Sequence, residues 1–215
     1  MNDELKQVMA KAQEWLDGNY DEETKAQVRA MMEADDKTEL IESFYRTLEF
    51  GTGGLRGIMG PGCNRMNKYI VGMATQGFAN YVHKAFPGRT DLAAVVGHDC
   101  RNNGRLFAET VAAIFSANGI KVYLFESLRP TPEISFAIRQ LGAQCGVNVT
   151  ASHNPKEYNG YKAYWEDGSQ VLQPHDVGII EEVNKVKLED VKFDANPDLI
   201  EIIGGEMDYD YMQAV

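Results

Sequence analysis

Gly146-Val147-Asn148-Val149-Thr150-Ala151-Ser152-His153-Asn154-Pro155 is the stretch whose reading decides the fold. Its first half is a short apolar run rich in β-branched residues, the composition of a buried strand. The run stops abruptly at Asn154-Pro155, and Tyr158-Asn159-Gly160 adds turn chemistry that lifts the chain off the sheet. Side chains at strand ends of α/β sheets face a ligand crevice. Ser152 stands at such an end and is the leading candidate for chemistry. Read alone, Ser152 and Asn154 would do no more than cap a turn by hydrogen-bonding nearby backbone.

Working outward, strands and helices alternate. A helix from about Asn67 to Phe86, a strand Ala93–Val96, a helix from about Asn103 to Asn118 ended by Gly119, and a strand Lys121–Phe125 precede the quoted stretch. Pro130-Thr131-Pro132 opens a further helix near Glu133 to Leu141; after the Ser152 segment, Tyr161–Trp165 returns as a strand and a helix opens at Pro174. The alternation implies an α/β fold: three layers, α/β/α, with a mixed and roughly four-stranded sheet. Residues 3–46 carry three helical patterns, around Leu5 to Leu16, Thr24 to Met31 and Lys37 to Leu48, which form an N-terminal helical extension. That acidic segment either packs across the α/β core or offers helices to a partner.

At 215 residues and 44% hydrophobic content, the chain can bury one good core. No apolar run approaches the roughly 20 residues of a membrane span, and Met1-Asn2-Asp3-Glu4 is not the start of a signal peptide. A cytoplasmic protein with no membrane partner is expected. Cys63, Cys100 and Cys145 are odd in number and lack metal-type spacing, which suits reduced thiols.

The net charge of −11 is unevenly distributed. Residues 1–50 hold 6 basic and 13 acidic side chains, residues 51–165 hold 12 and 6, and residues 166–215 hold 3 and 13. The middle is therefore at +6, between flanks at −7 and −10. Cations concentrated there would attract an anionic substrate while the flanks confer solubility. Nucleic acid is discounted as a partner, because the basic residues are dispersed, no zinc-finger or RNP-type signature occurs and the whole chain is acidic.

Phe50-Gly51-Thr52-Gly53-Gly54-Leu55-Arg56-Gly57 begins like a dinucleotide fingerprint, but Arg56 occupies the third glycine position and no strand clearly precedes it. A Walker A loop is excluded by the absence of Gly-Lys-Ser/Thr. The loop does offer unhindered backbone N–H groups near Arg56, whose planar fork of donors suits phosphate.

Taken together, Thr150-Ala151-Ser152-His153-Asn154-Pro155 with Tyr158-Asn159-Gly160-Tyr161-Lys162, the Phe50–Gly57 loop, and Gly97-His98-Asp99-Cys100-Arg101 followed by Phe107-Ala108 closely resemble the α-D-phosphohexomutases, the family of phosphoglucomutase and phosphomannomutase. The segment Met59-Gly60-Pro61-Gly62-Cys63-Asn64-Arg65-Met66-Asn67 resembles the branch that includes bacterial phosphoglucomutase/phosphomannomutase proteins and the phosphopentomutase-like mutases. The resemblance implies that residues 46–200 are the first of four domains, the phosphoserine domain, with 1–45 as the helical extension and 201–215 as a linker towards a second domain. The remaining domains of the same polypeptide would then be the partners of this chain.

What the resemblance implies chemically is reversible phosphoryl transfer between sugar 1-phosphate and 6-phosphate through a phosphoserine at Ser152 and a sugar bisphosphate intermediate. Arg56 and Lys162 would contact phosphate, Lys162 also serving as a proton-transfer group, while His153 and Asn154 orient the loop and bind substrate. Mg²⁺ is the implied metal, held by Ser152 through its phosphate oxygen with the other ligands outside this chain; a sugar 1,6-bisphosphate is the implied activator. Asp208-Tyr209-Asp210 lacks the glycines and third carboxylate of a metal loop. Adjacent side chains of an extended chain point to opposite faces, so His153 is not expected to act as base for Ser152. Asp99 and Arg101 are expected to pair with each other or with backbone, and His83 and His175 to lie on the surface. Two further readings stay open: a phosphopentomutase or sugar-bisphosphate synthase, and a non-catalytic sugar-phosphate-binding module. The 215 residues alone are expected to fold without turning over.

Overall fold

The computed structural model describes residues 3–51 and 53–215; Thr52 of the glycine-rich loop and Met1-Asn2 lie outside the described residues. Helices α1 (Asp3–Asp17), α2 (Glu22–Glu33) and α3 (Thr38–Phe44) come first, followed by β1 (Gly54–Ile58), α4 (Lys68–Ala85), β2 (Ala93–His98), α5 (Gly104–Ala117), β3 (Lys121–Phe125), α6 (Thr131–Gln140), β4 (Cys145–Val149), β5 (Tyr158–Trp165), α7 (His175–Val183), β6 (Ile200–Ile203) and α8 (Gly205–Ala214).

One mixed sheet runs β1-β5-β4-β2-β3-β6. The four strands β4, β2, β3 and β6 are parallel, and β5 lies antiparallel between β4 and β1. Every residue of β2 and β4 is buried, as expected for strands covered by helices on both faces. On one face Phe78 and Val82 of α4, Phe107, Val111 and Phe115 of α5, and Ile179 of α7 pack against Val96, Val147 and Tyr161. On the other, Ile134 and Ile138 of α6 and Met207 of α8 cover Val95, Phe125 and Tyr164. The N-terminal helices form a separate cluster around Trp15, Val28, Leu40 and Phe44 that reaches α4 through Tyr69. They therefore pack on the α/β core.

The sheet has two strands more than the four read from the sequence. Gly-rich β1 has weak intrinsic strand character, and is held extended by its register with β5, Gly54 opposite Lys162 and Arg56 opposite Gly160. Tyr158-Asn159-Gly160, read above as a turn, is the start of β5 for the same reason. Glycine is required at 160 because a Cβ there would run into the Thr150 carbonyl oxygen. Strand β6 has only four residues and pairs in parallel with Val122–Phe125. Residues 201–215 thus add a strand and a helix to the domain; Asp208 of their Asp-Tyr-Asp run is ion-paired to Arg129 at 2.5 Å.

Candidate active site at the carboxyl end of the sheet

Strand β4 ends at Val149 and delivers Thr150 and Ser152 to the carboxyl edge of the parallel strands, beside the end of β2 at His98. The chain cannot remain extended there. Thr150 N–H donates to the Gly160 carbonyl at 3.0 Å, and Asn154 N–H closes a turn onto the Ala151 carbonyl at 3.1 Å. At the apex Ser152 takes a left-handed conformation, φ 56°, a region that costs a non-glycine residue roughly 1–2 kcal/mol. Its side chain is exposed.

A hydrogen-bonded frame holds that apex. Ser152 N–H donates to Thr150 Oγ1 at 3.0 Å, and the Thr150 hydroxyl donates to Asp99 Oδ2 at 2.5 Å. The Asp99 carboxylate also accepts from the Arg101 backbone N–H at 3.0 Å, and its Oδ2 lies 3.6 Å from Arg101 Nε. The Arg101 guanidinium spreads over the loop: Nη2 donates to the carbonyls of Ser152 and Asn154 at 2.8 and 2.7 Å, and Nη1 to those of Pro155 and Tyr158 at 2.9 and 3.0 Å. Asp99 and Arg101 therefore pair both with each other and with backbone. His98 Nδ1 lies 2.8 Å from the Asp99 carbonyl.

An open cavity of about 300 Å³ lies against this frame, lined by Asp99, Cys100, Arg101, Asn102, Ser152, Asn154 and Lys156. Arg56, exposed on β1, donates through Nη1 to Asn154 Oδ1 at 2.8 Å and so joins the loop across 98 residues of sequence. Lys162 of β5 is half-buried and sits opposite both Gly54 and Asn148. It shares a sheet face with Arg56 at the diagonal position, and its side chain makes no hydrogen bond or ion pair with the described residues. The basic groups that line the cavity or bond its loop, Arg101, Lys156 and Arg56, come from three separate segments, and among the described residues Asp99 is the one acidic side chain lining the cavity.

His153 departs from the expectation. Because Ser152 is left-handed and not extended, the two neighbouring side chains do not diverge, and Ser152 Oγ lies 3.4 Å from His153 Nδ1. Sequence reasoning missed Lys156; a cation two residues beyond Asn154 in a short loop was the signal. His83 is exposed as expected, whereas His175 is half-buried, stacked on Trp165 with ring centroids 4.2 Å apart and 3.0 Å from the Tyr81 hydroxyl. Among the described residues no group of three or more His, Cys, Asp or Glu side chains could hold a metal ion. A metal at this site would have to draw most of its ligands from elsewhere.

Residues 47–190, which carry this serine and its loop, match the family described as "Phosphoglucomutase/phosphomannomutase, alpha/beta/alpha domain I". The chain belongs to this family. It is 41% identical over 183 residues to the probable phosphoribomutase of Schizosaccharomyces pombe, covering 85% of this chain and 31% of that one. It is 39% identical to the phosphopentomutase of Homo sapiens, covering 80% and 29%, and 38% identical to the glucose 1,6-bisphosphate synthase of Mus musculus, covering 78% and 28%. Among solved structures, the putative phosphomannomutase from Thermus thermophilus superposes with a TM-score of 0.68 at 27% identity, covering 79% of this chain and 35% of that one. The chain thus spans about a third of the length of the relatives it matches. No helix among its described residues is long and apolar enough to cross a membrane.

Proposed function

We propose that Ser152 is a phosphoryl carrier, and that this chain is the nucleophile-bearing domain of a phosphosugar mutase. The supporting observation is the exposed Ser152 hydroxyl, held on a left-handed apex at the carboxyl edge of the sheet against a cavity lined by Arg101 and Lys156, with Arg56 bonded to Asn154 of the same loop. In the forward direction the terminal hydroxyl oxygen of a sugar 1-phosphate attacks phosphorus on Ser152. The P–Oγ bond breaks, Oγ recovers a proton, and a sugar bisphosphate forms. After the bisphosphate turns around, Oγ attacks its other phosphorus, restoring phosphoserine and releasing the isomeric monophosphate. A covalent carrier divides one geometrically difficult transfer into two in-line steps.

Arg56 is assigned to bind the phosphoryl group and to hold the loop through Asn154. Lys162, whose side chain has no hydrogen-bond or ion-pair partner among the described residues, is assigned to contact phosphate or carry the proton. His153 and Asn154 complete the substrate contacts, and His153 Nδ1 is close enough to Oγ to take part in proton transfer on small movement. Mg²⁺, bound to a Ser152 phosphoryl oxygen with ligands from the remaining domains, would neutralise developing charge. The bisphosphate primes the enzyme by phosphorylating Ser152. We place the enzyme in the cytoplasm. The names of the relatives favour a pentose over the hexose that the family name suggests, so the 5-phosphate of a pentose is the second reading for the terminal position. Bisphosphate synthase activity is separated from either by its stoichiometric consumption of a phosphoryl donor.

The test uses the full-length protein with glucose 1-phosphate and ribose 1-phosphate in parallel, each with catalytic bisphosphate. Wild type should convert at least one and carry a phosphoryl group on the Ser152 peptide; Ser152→Ala should lose both, and the 215-residue chain alone should bind without turnover. Conversion by Ser152→Ala at the wild-type rate would sink the mechanism. A phosphate-binding but unphosphorylated wild type would point to the non-catalytic module instead.

A further inference from the structure

Arg101 lines the Ser152 cavity, and a cationic side chain in a phosphate site is ordinarily taken for a substrate ligand. Its four Nη donors are already committed. A guanidinium has five N–H groups; four are given to the carbonyls of Ser152, Asn154, Pro155 and Tyr158, and the fifth, on Nε, faces Asp99 Oδ2 at 3.6 Å. The Arg101 side chain is only 10% exposed. The one donor without a hydrogen bond, Nε, is buried, so no exposed donor remains with which to clasp an incoming phosphate.

We propose that Arg101, acting with Asp99 and the Thr150 hydroxyl, is the positioning device that sets the conformation of the nucleophile; the proposal rests on the phosphoryl-carrier reading of Ser152. The loop backbone is pinned on both sides of Ser152. Its carbonyl accepts from Arg101 Nη2, and its N–H donates to Thr150 Oγ1, which is itself oriented by donating to Asp99. Asp99 then accepts from the Arg101 backbone N–H, closing the circuit. Thr150 is 4% exposed, so its hydroxyl cannot readily exchange this partner for bulk water. A left-handed serine persists only where its surroundings over-determine it, and this circuit supplies that constraint. Because one guanidinium holds carbonyls from residue 152 to residue 158, it fixes the whole phosphoserine loop relative to the end of β2. Arg101 touches no reacting atom, and its contribution is to geometry.

Displacement of a reacting group by about 1 Å can cost on the order of 10²-fold in rate, which sets the expected scale. In the full-length enzyme, single-turnover phosphorylation of Ser152 is followed with glucose 1,6-bisphosphate as donor in wild type, Arg101→Lys, Arg101→Ala, Thr150→Val and Thr150→Ser. Lysine keeps the charge but cannot span four carbonyls with its compact ammonium. Valine keeps the shape of threonine without the hydroxyl, and serine restores the hydroxyl. The proposal expects Arg101→Lys and Thr150→Val to phosphorylate about 10²-fold more slowly with unchanged half-saturation for the donor. Thr150→Ser should recover to within a few-fold of wild type, and guanidinium chloride at low millimolar concentration should partly rescue Arg101→Ala. A wild-type rate in Arg101→Lys or Thr150→Val overturns it, and so does a loss expressed mainly as weaker donor binding, which would make Arg101 a substrate ligand. Thr150→Val guards against an arginine variant that fails to fold. Phosphorylation of Ser152→Ala under the same conditions would instead mean that the carrier reading itself is wrong.

Discussion

Replacing Ser152 by glycine should stabilise the fold relative to alanine, the reverse of the order at ordinary positions. The left-handed φ of 56° costs a residue with a Cβ roughly 1–2 kcal/mol, which glycine does not incur. Glycine loses more chain entropy on folding, a cost of roughly 0.5–1 kcal/mol relative to alanine. The serine side chain is exposed and has one long contact, 3.4 Å to His153, so little packing is lost in either variant. The difference leaves Ser152→Gly about 0.5–1 kcal/mol more stable than Ser152→Ala. For a chain of this size 1 kcal/mol corresponds to roughly 2–4 °C in Tm, so the pair should be separated by about 2 °C. Thermal melting of this chain followed by circular dichroism, checked by urea midpoints at equal m, measures it. Both variants should fail to accept a phosphoryl group. An alanine variant as stable as the glycine variant, or more so, would refute the claim that the nucleophile is held in strain for function.

Gly160→Ala should lower the urea midpoint by the equivalent of roughly 1–3 kcal/mol, because its Cβ meets the Thr150 carbonyl just beyond the end of β4; an unchanged midpoint would contradict the register. The cluster of Glu133, Arg129 and Asp208 should give a pH dependence. Burial, reinforced by a hydrogen bond to Asp208, raises the Glu133 pKa to about 7, while the Arg129 guanidinium holds Asp208 below the usual carboxylate range. The folded state therefore binds more protons at Glu133 than the unfolded state between the ordinary glutamate value of about 4.3 and neutrality, and stability should fall as pH rises through that window. Asp208 acts oppositely, its contribution being lost as pH drops below the usual aspartate range. Urea midpoints from about pH 4 to about pH 8 should decline less steeply in Glu133→Gln than in wild type, and parallel curves would count against it.

Much of the domain is legible in local pattern, since helix α4 opens at Asn67, whose side chain caps the N–H groups of Tyr69 and Ile70, and helix α5 closes ahead of Gly119 at φ 76°. Local periodicity and capping determine such elements wherever they occur. Strand β4 is equally plain, and Ser152 at its end with it. Strand β1 is not, because a glycine-rich segment carries little strand preference of its own and is extended only by pairing with β5; β6, Ile200-Glu201-Ile202-Ile203, has strand composition but only four residues, too short a run for periodicity to mark it. The same division runs through the site. The expectation that a serine, an arginine and a lysine carry phosphate chemistry rests on their types and order in the sequence. Which donors remain free for that chemistry was decided by tertiary structure: Arg101 spends its guanidinium on carbonyls more than 50 residues away, whereas Lys162 has no partner among the described residues. His153 approaches Ser152 only because a turn, fixed by Thr150 and Asp99 across the sheet, reverses the geometry an extended chain would have had. Residue identity states what a side chain is able to do; the long-range hydrogen bonds that the fold brings within about 3 Å determine which of those capacities is left for a substrate.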